Sequence, residues 1–330
     1  MKVACFSDLS ADEIQAYHDS TLYKLTCSDY RFCDIHLDYY REYFGEKWQD
    51  VSLVVYDKTG FCISLIMFCN GEELSFFGSP TDVIWDDSFP AKAKNQAFGE
   101  LFVKLEQMIK EMKIMTLKFF ENPYFLLKYY EQEGVTFSSK IVFENSIDLS
   151  QSEDDIKMGV RKSYKSLINW GQRNLDIKVY DSTNMTDEVM SEFEDFHVAV
   201  AKRHTRSHES WMLQSKAVQQ DMGYVVMGYY NNKLVTATLV LNGNKDCYYG
   251  VCVNDRELMA QNLPIGHYGL FKSILLAKEK GFSKFNFGDV SNNNEDPKVN
   301  AIVKYKRGFS NLLHARIACK AEFDNDNVNE

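Results

Sequence analysis

Apolar strand-like runs alternate with amphipathic stretches through the first half of the chain. Residues 51–56 and 61–68 are apolar runs, and the D-K-T-G between them is typical of a hairpin turn. Residues 96–112 carry apolar side chains at helical spacing, which predicts a helix. The other elements predicted in this half are strands at 73–78, 116–120 and 140–149 and a helix at 123–133.

The second half repeats this order of elements. Helices are predicted at about 154–174, 187–202, 209–222, 264–280 and 298–307, and strands at 175–180, 224–229, 233–241, 246–253, 285–287 and near 312–321. The repetition predicts an α/β protein of two tandem domains, each a mixed, mostly antiparallel sheet flanked by helices. We place these domains at residues 1–150 and 151–321, followed by an acidic, disordered tail at 322–330.

Composition and charge narrow the possible classes of protein. Hydrophobic residues make up 45% of the 330 residues, as expected of a globular protein with a large core. The net charge of −10 argues against a DNA-binding protein, because such a protein needs a broad basic face. No apolar run approaches the ~18–20 residues of a membrane span, and residues 1–10 lack the apolar centre of a signal peptide. A cytoplasmic protein without an integral membrane span is therefore expected, with its eight cysteines reduced.

The loop that leads into the predicted helix at 264–280 is a candidate phosphate site. It reads Q-N-L-P-I-G-H-Y-G, and a helix start of this kind presents backbone N–H groups and the positive end of the helix dipole. The candidate ligand-binding residues are Leu263, Ile265, Gly266 and Gly269. The alternative is an ordinary helix start with Pro264 near its first position.

Two basic segments are candidates for binding an anionic substrate. Arg161 and Lys165 lie in a locally basic stretch, and Arg203 and Arg206 follow the next predicted helix. Arginine can bind phosphate or carboxylate with two parallel hydrogen bonds. We therefore expect Arg203 and Arg206 to line one cleft with the basic stretch that begins at Arg161, although a solvated helix face would explain that stretch equally well.

Other candidate residues are scattered through the second half. Trp211 and Tyr249 complete the predicted substrate-binding set. His204 and His208 have the spacing of half a metal site, but no further cluster matches it, so no metal is predicted. Lys306 follows an aromatic residue near a predicted strand end, where its charge could stabilise a negatively charged transition state.

Four segments of the second half together resemble a known family. They read R-K-S-Y-K-S-L-I-N-W-G-Q-R, H-V-A-V-A-K-R-H-T-R-S-H-E-S-W, L-P-I-G-H-Y-G-L-F-K-S-I-L-L-A-K-E-K-G-F-S-K-F-N-F-G-D and Y-K-R-G-F. In this order they resemble the FemAB-like branch of the GNAT acyltransferases, which comprises peptidoglycan-bridge aminoacyltransferases and related enzymes of surface-polysaccharide synthesis. The resemblance implies two tandem GNAT-like domains, and it covers about residues 155–321.

The resemblance implies transfer of an acyl group to an amine. It places the family's lysine at Lys306, and Asp289 or His267 is the candidate proton acceptor. The leading interpretation is transfer from acyl-CoA, a co-substrate rather than a tightly bound cofactor, to an amino sugar or a nucleotide-linked sugar of a cell-surface precursor. The alternatives are a tRNA-dependent aminoacyltransferase that acts on a peptidoglycan precursor, and a non-catalytic module that binds a nucleotide sugar or a protein.

Overall fold

The computed structural model describes residues 1–291, 295–310 and 312–324. Its α-helices are α1 (Ala11–His18), α2 (Thr21–Thr26), α3 (Asp34–Phe44), α4 (Ala91–Met112), α5 (Pro123–Tyr129), α6 (Glu153–Gly159), α7 (Lys162–Asn174), α8 (Asp187–Ala201), α9 (His208–Gln219), α10 (Arg256–Ala260), α11 (Ile265–Glu279) and α12 (Pro297–Lys306).

The strands are β1 (Lys2–Cys5), β2 (Gln49–Asp50), β3 (Leu53–Asp57), β4 (Gly60–Leu65), β5 (Phe68–Cys69), β6 (Glu73–Ser75), β7 (Val83–Trp85), β8 (Thr116–Phe120), β9 (Val135–Asp148), β10 (Asp176–Tyr180), β11 (Gly223–Tyr230), β12 (Lys233–Asn242), β13 (Asp246–Asn254), β14 (Lys284–Asp289) and β15 (Leu312–Phe323). The mixture of helices and sheets confirms the predicted α/β fold class.

The chain forms two compact units. The first comprises Met1–Ser28, Phe44–Val142 and, as far as it is described, Arg316–Glu330; the second comprises Asp29–Tyr43 and the described part of Phe143–Ala315. The predicted domain ranges differ from these units, because 29–43 group with the second unit and the end of β15 with the first. The units are defined by how compactly the chain packs, whereas the predicted domains are defined by a repeated order of elements. The units therefore do not test the predicted domain limits, which stay a prediction. Strand β15 continues to Phe323, inside the predicted tail, whereas 325–330 lie outside the described residues.

The first unit contains an antiparallel sheet in the order β1-β3-β4-β7. The long helix α4 packs on this sheet, and its Leu101 and Leu105 are completely buried against a core that includes Val55 and Ile63. Further strands in this unit pair in the order β15-β8-β6-β5-β2. The apolar face predicted for residues 96–112 is therefore the face that forms the core.

The second unit contains a sheet in the order β10-β11-β12-β13-β14-β9, in which only β13 and β14 are parallel. Because successive side chains of a strand point to opposite faces, β11 separates two cores. Tyr224 and Val226 pack with residues of α11, whereas Val225 and Met227 pack with Trp211 of α9. Helices α7 and α11 therefore cover one face of this sheet, and α8 and α9 cover the other.

The helix predicted at about 154–174 is interrupted. Helix α6 ends at Gly159, Val160 has extended backbone dihedrals, and α7 begins at Lys162. The backbone N–H of Arg161 donates to the carbonyl oxygen of Gly308 at 2.8 Å instead of continuing a helix. The helices α1, α2 and α3 were not among the predicted elements, so the first 50 residues contain structure that the sequence analysis did not foresee.

Among the described residues, no helix is both long enough and apolar enough to cross a membrane. All eight cysteines are free thiols, and Cys27, Cys62 and Cys247 are among those that are buried.

The crossing of α7 over α11 depends on a glycine. A Cβ atom at Gly171 would lie 2.4 Å from the Cβ of Tyr268, closer than two such atoms can approach. We expect Gly171→Ala to lower the free energy of unfolding by about 1–3 kcal/mol, because an overpacked contact outweighs the helix propensity that alanine adds. Denaturant unfolding measures this change.

Gly159→Ala is the matched control, because no atom lies within 4 Å of a Cβ atom placed there. Its expected change in stability is within about 0.5 kcal/mol. Equal stability of the two variants would contradict the close crossing of α7 and α11.

Candidate functional site

The ammonium group of Lys306, at the end of α12, lies in a mostly enclosed setting. Its Nζ donates a hydrogen bond to the carbonyl oxygen of Phe287 at 2.7 Å and lies 5.3 Å from the centre of the Tyr249 ring. Burial lowers the pKa of Lys306, because removing water disfavours the charged form, and the negative charge of Asp289 acts in the opposite direction. The structure thus brings together three residues of the predicted set, namely Lys306, Tyr249 and Asp289.

An irregularity in β14 makes the carbonyl group of Phe287 available. Strands β13 and β14 pair only as far as Tyr248 and Asn286, and beyond this point they separate. On the other edge of β14 the register with β9 shifts between Asn286 and Gly288, so Phe287 is left out of that ladder. A buried backbone carbonyl group that is not hydrogen-bonded to a neighbouring strand still needs a hydrogen-bond donor. The ammonium group of Lys306 is that donor for Phe287.

Aromatic side chains surround this end of α12. The phenol of Tyr305 donates to the backbone carbonyl oxygen of Gly266 at 2.9 Å, which ties α12 to the start of α11. The Phe309 ring, which is fully buried, lies 5.3 Å from the ring of Tyr164 on α7. A Cβ atom at Gly308 would overlap the Tyr164 ring, so only glycine fits beside it. Tyr164 is a site residue that the sequence analysis missed, although it lies inside the R-K-S-Y-K segment quoted for the family resemblance.

His267 is packed among these rings. Its ring lies 4.5 Å from that of Tyr164 and 5.4 Å from that of Tyr305. Burial lowers the pKa of His267 to about 4, and the backbone of Pro264 acts in the opposite direction. His267 is therefore neutral at physiological pH, and burial disfavours its protonated form.

The glycines of the predicted phosphate loop contact the sheet. A Cβ atom at Gly266 would lie 2.5 Å from the side-chain oxygen of Asn254, and one at Gly269 would lie 3.5 Å from Thr236. Ile265 is completely buried. Close packing of α11 on β12 and β13 therefore explains why these residues are small or apolar.

The helix start keeps one feature of an anion site. Pro264 at the N-cap supplies no side-chain acceptor for the first N–H groups of α11. Leu263 packs with the apolar cluster that contains Ile265, and it provides no polar group. At Leu263 and Pro264 the loop therefore offers a phosphate backbone donors of the helix start but no polar side chain.

Arg161 contacts the helix that carries Lys306. Its Nη2 donates to the backbone carbonyl oxygen of Lys304 at 3.2 Å, and its guanidinium group lies 5.0 Å from the centre of the Tyr164 ring. The half-buried Lys165 donates to the backbone carbonyl oxygen of Met158 at 3.2 Å. Of the basic stretch, Arg161 is thus the residue that contacts α12 directly.

The structure does not bring Arg206 and Trp211 to Lys306. Arg206 donates to the phenol oxygen of Tyr39 at 3.0 Å and to the side-chain oxygen of Gln214 at 3.2 Å, and its guanidinium lies 4.6 Å from the centre of the Trp211 ring. Trp211 belongs to the core on the α8 and α9 face, opposite α7 and α11. The expected common cleft with Arg161 is therefore wrong, because Arg206 packs on aromatic side chains of α3 and α9.

Arg203 and the two histidines with the spacing of half a metal site, His204 and His208, are exposed. His208 Nδ1 lies 2.6 Å from a carboxylate oxygen of Glu194, which raises the pKa of the imidazole. Across the described ranges, no group of three or more histidine, cysteine, aspartate or glutamate side chains could hold a metal ion.

Comparison with known proteins gives a likeness of fold. No family model matches the sequence, and no curated protein matches it. Among solved structures, FemX superimposes with a TM-score of 0.68 at 10% sequence identity, covering 99% of this chain and 98% of that chain. L-PGS from Bacillus licheniformis gives a TM-score of 0.54 at 10% identity, covering 97% and 93% of the two chains.

A third structure has the same two-domain plan. A tandem GNAT protein from the clavulanic acid biosynthesis pathway gives a TM-score of 0.53 at 12% identity and covers 98% of each chain. The chain thus shares the fold of FemX and of this tandem GNAT protein, and the resemblance to the FemAB-like branch is confirmed as a likeness of fold.

The buried imidazole of His267 predicts a pH-dependent stability. The unfolded chain binds a proton below a pKa of about 6.5, whereas the folded chain does so only below about 4. The free energy of unfolding should therefore decrease as the pH falls from about 6.5 to about 4, since the unfolded state binds more protons in this range. His267→Phe should make this decrease shallower, as measured by denaturant unfolding at several pH values.

His204→Gln is the control, because the His204 side chain is exposed and should not change the slope. His36, whose pKa burial also lowers to about 4, contributes in the same direction and remains in both variants. An unchanged slope in His267→Phe would show that the imidazole is not buried in the folded protein.

Proposed function

We propose that this protein is an acyltransferase that moves an acyl group to an amine at the site around Lys306. The observation that carries the proposal is the partly buried ammonium of Lys306, placed where β13 and β14 separate. In the described part of the chain, only the carbonyl oxygen of Phe287 accepts a hydrogen bond from it. An ammonium has three donors, so Lys306 keeps donor capacity for a further acceptor.

The chemistry requires a positive charge at the reacting carbonyl group. The amine nitrogen attacks the carbonyl carbon of a thioester or ester donor, and a carbon–nitrogen bond forms as the carbon–sulfur or carbon–oxygen bond breaks. Negative charge develops on the carbonyl oxygen and then on the leaving group, and an ammonium in low-dielectric surroundings stabilises such charge more strongly than it does in water. Lys306 is the residue proposed for this role.

A second group must accept the proton that the attacking amine loses. Asp289 is exposed, and its charge raises the pKa of Lys306, so it can receive a proton from a substrate at the site mouth. His267 is neutral, but its ring is enclosed by Tyr164 and Tyr305. The geometry therefore favours Asp289 over His267 as the proton acceptor.

The substrates remain part of the proposal. The leading candidate reaction uses acyl-CoA as donor and an amine of an amino sugar or nucleotide-linked sugar in a cell-surface precursor as acceptor. A specific observation favours aminoacyl-tRNA as the alternative donor: Leu263 and Pro264 at the start of α11 offer no polar side chain to the pyrophosphate of coenzyme A. Transfer assays with acetyl-CoA and with an aminoacyl-tRNA, each offered glucosamine or a peptidoglycan precursor, distinguish the two donors.

Replacement of Lys306 tests the catalytic proposal. Lys306→Met keeps most of the volume of the aliphatic stem and removes the charge. We expect kcat to fall by about a hundredfold, which corresponds to loss of roughly 3 kcal/mol of transition-state stabilisation. The measurement is kcat with the donor and acceptor that the transfer assays identify.

Lys298→Met is the matched control, because Lys298 is an exposed lysine on the same helix. It should retain kcat within about twofold, and both variants should give the cooperative melting curve of the parent protein. Unchanged turnover in folded Lys306→Met would contradict the catalytic role and favour a binding module without activity.

A further inference from the structure

A cationic pocket lies between the start of α7 and the last turns of α12. It encloses about 410 Å³ and is lined by Arg161, Asn300, Lys304 and Arg307. Three of these four side chains carry a positive charge, and the fourth is an uncharged amide. Within the parts of the chain that the structure describes, none of the three cations forms an ion pair with a carboxylate.

The pocket is held in shape by contacts of Arg161. Its backbone N–H donates to the carbonyl oxygen of Gly308, and its side chain donates to the backbone carbonyl oxygen of Lys304. The Tyr164 ring lies against the guanidinium group, and the Tyr164 phenol oxygen accepts from Nη1 at 3.3 Å. Arg161 is therefore fixed before any ligand binds, which lowers the entropy cost of binding.

Arg307 adds an unused donor. Its Nε atom is buried and has no hydrogen-bond partner among the described residues. Buried N–H donors are almost always paired in folded proteins, so an unpaired one marks a guanidinium group with unused donor capacity. Arg307 lines the pocket, where an anion can accept hydrogen bonds from the same guanidinium group.

The clustering of charge points to the same kind of ligand. Like charges brought into one pocket repel each other, and the net charge of −10 shows that the chain as a whole has no excess of basic residues. Arginine and lysine together suit a phosphate group, which accepts several charge-assisted hydrogen bonds at once.

We propose that this pocket binds a phosphate group of one of the substrates. That the ligand is a substrate rests on the proposed acyl transfer, whereas the affinity for phosphate does not. Lys304, Lys306 and Arg307 lie within one turn of the chain at the end of α12. A phosphate held by Lys304 and Arg307 therefore anchors its molecule beside the helix end that carries the candidate catalytic ammonium.

Direct binding of inorganic pyrophosphate at low ionic strength, measured by isothermal titration calorimetry, tests the pocket. We expect Lys304→Gln/Arg307→Gln to raise the Kd at least tenfold. The control Lys216→Gln/Lys245→Gln removes the same charge from exposed positions elsewhere in the second unit and should change the Kd by less than twofold.

Lys304→Gln alone guards against a folding defect, because the Lys304 side chain is exposed. It should also weaken binding, and its melting curve should match that of the parent protein. No binding to the parent protein, or equal weakening in the control double variant, would overturn the proposal.

Competition against pyrophosphate identifies the source of the phosphate. If coenzyme A competes better than coenzyme A without its 3′-phosphate, the phosphate belongs to the acyl donor of the leading reaction. If a uridine diphosphate sugar competes, the phosphate belongs to the acceptor. Competition by a short RNA hairpin alone indicates the phosphates of a nucleic-acid donor. If pyrophosphate binds but none of these competes, the assignment to a substrate is wrong. Because binding is measured without turnover, failure of the acyl-transfer proposal would leave this result unaffected.

Discussion

Keeping the ammonium of Lys306 charged in an apolar enclosure is the constraint on which the candidate site depends. Burial disfavours the charged form, and the carbonyl group of Phe287 and the Tyr249 ring offset part of that cost. Both partners exist because of the sheet: β14 is irregular at Phe287, and β13 separates from β14 after Tyr248. The site thus follows from a local interruption of strand pairing, which leaves the carbonyl group of Phe287 to accept a hydrogen bond from Lys306.

Helix α7 connects the parts of this site. Gly171 lets α7 approach α11, and Gly308 gives room to the Tyr164 ring. From that position α7 presents Tyr164 to His267 and Arg161 to α12. A substitution in α7 is therefore expected to affect both the enclosure of His267 and the cationic pocket.

The sequence predicts the regular elements well and the placement of side chains less well. The α/β class, the helix in the range 96–112 and the start of the helix near residue 264 follow from periodicity and turn residues. Lys306 and Asp289 lie at the ends of α12 and β14, whereas Tyr249 lies inside β13, so its proximity to Lys306 does not follow from its position at an element end. The interruption at Val160 could not be predicted from periodicity, because it depends on the hydrogen bond from Arg161 to Gly308, which is distant in the chain.

Arg161 and Arg206 show why a local excess of basic residues does not define a site. Both guanidinium groups lie against aromatic rings, yet they occupy opposite faces of the sheet in the second unit. The phenol of Tyr39 and the amide of Gln214 accept hydrogen bonds from Arg206, and these partners come from α3 and α9. Because residues 29–43 are distant in the chain and join this unit only when it folds, the sequence near Arg206 carries no sign of its contact with Tyr39. Arg161, by contrast, lines its pocket with two further cations and, among the described residues, no carboxylate, so the partner proposed for it is an anion from outside the chain.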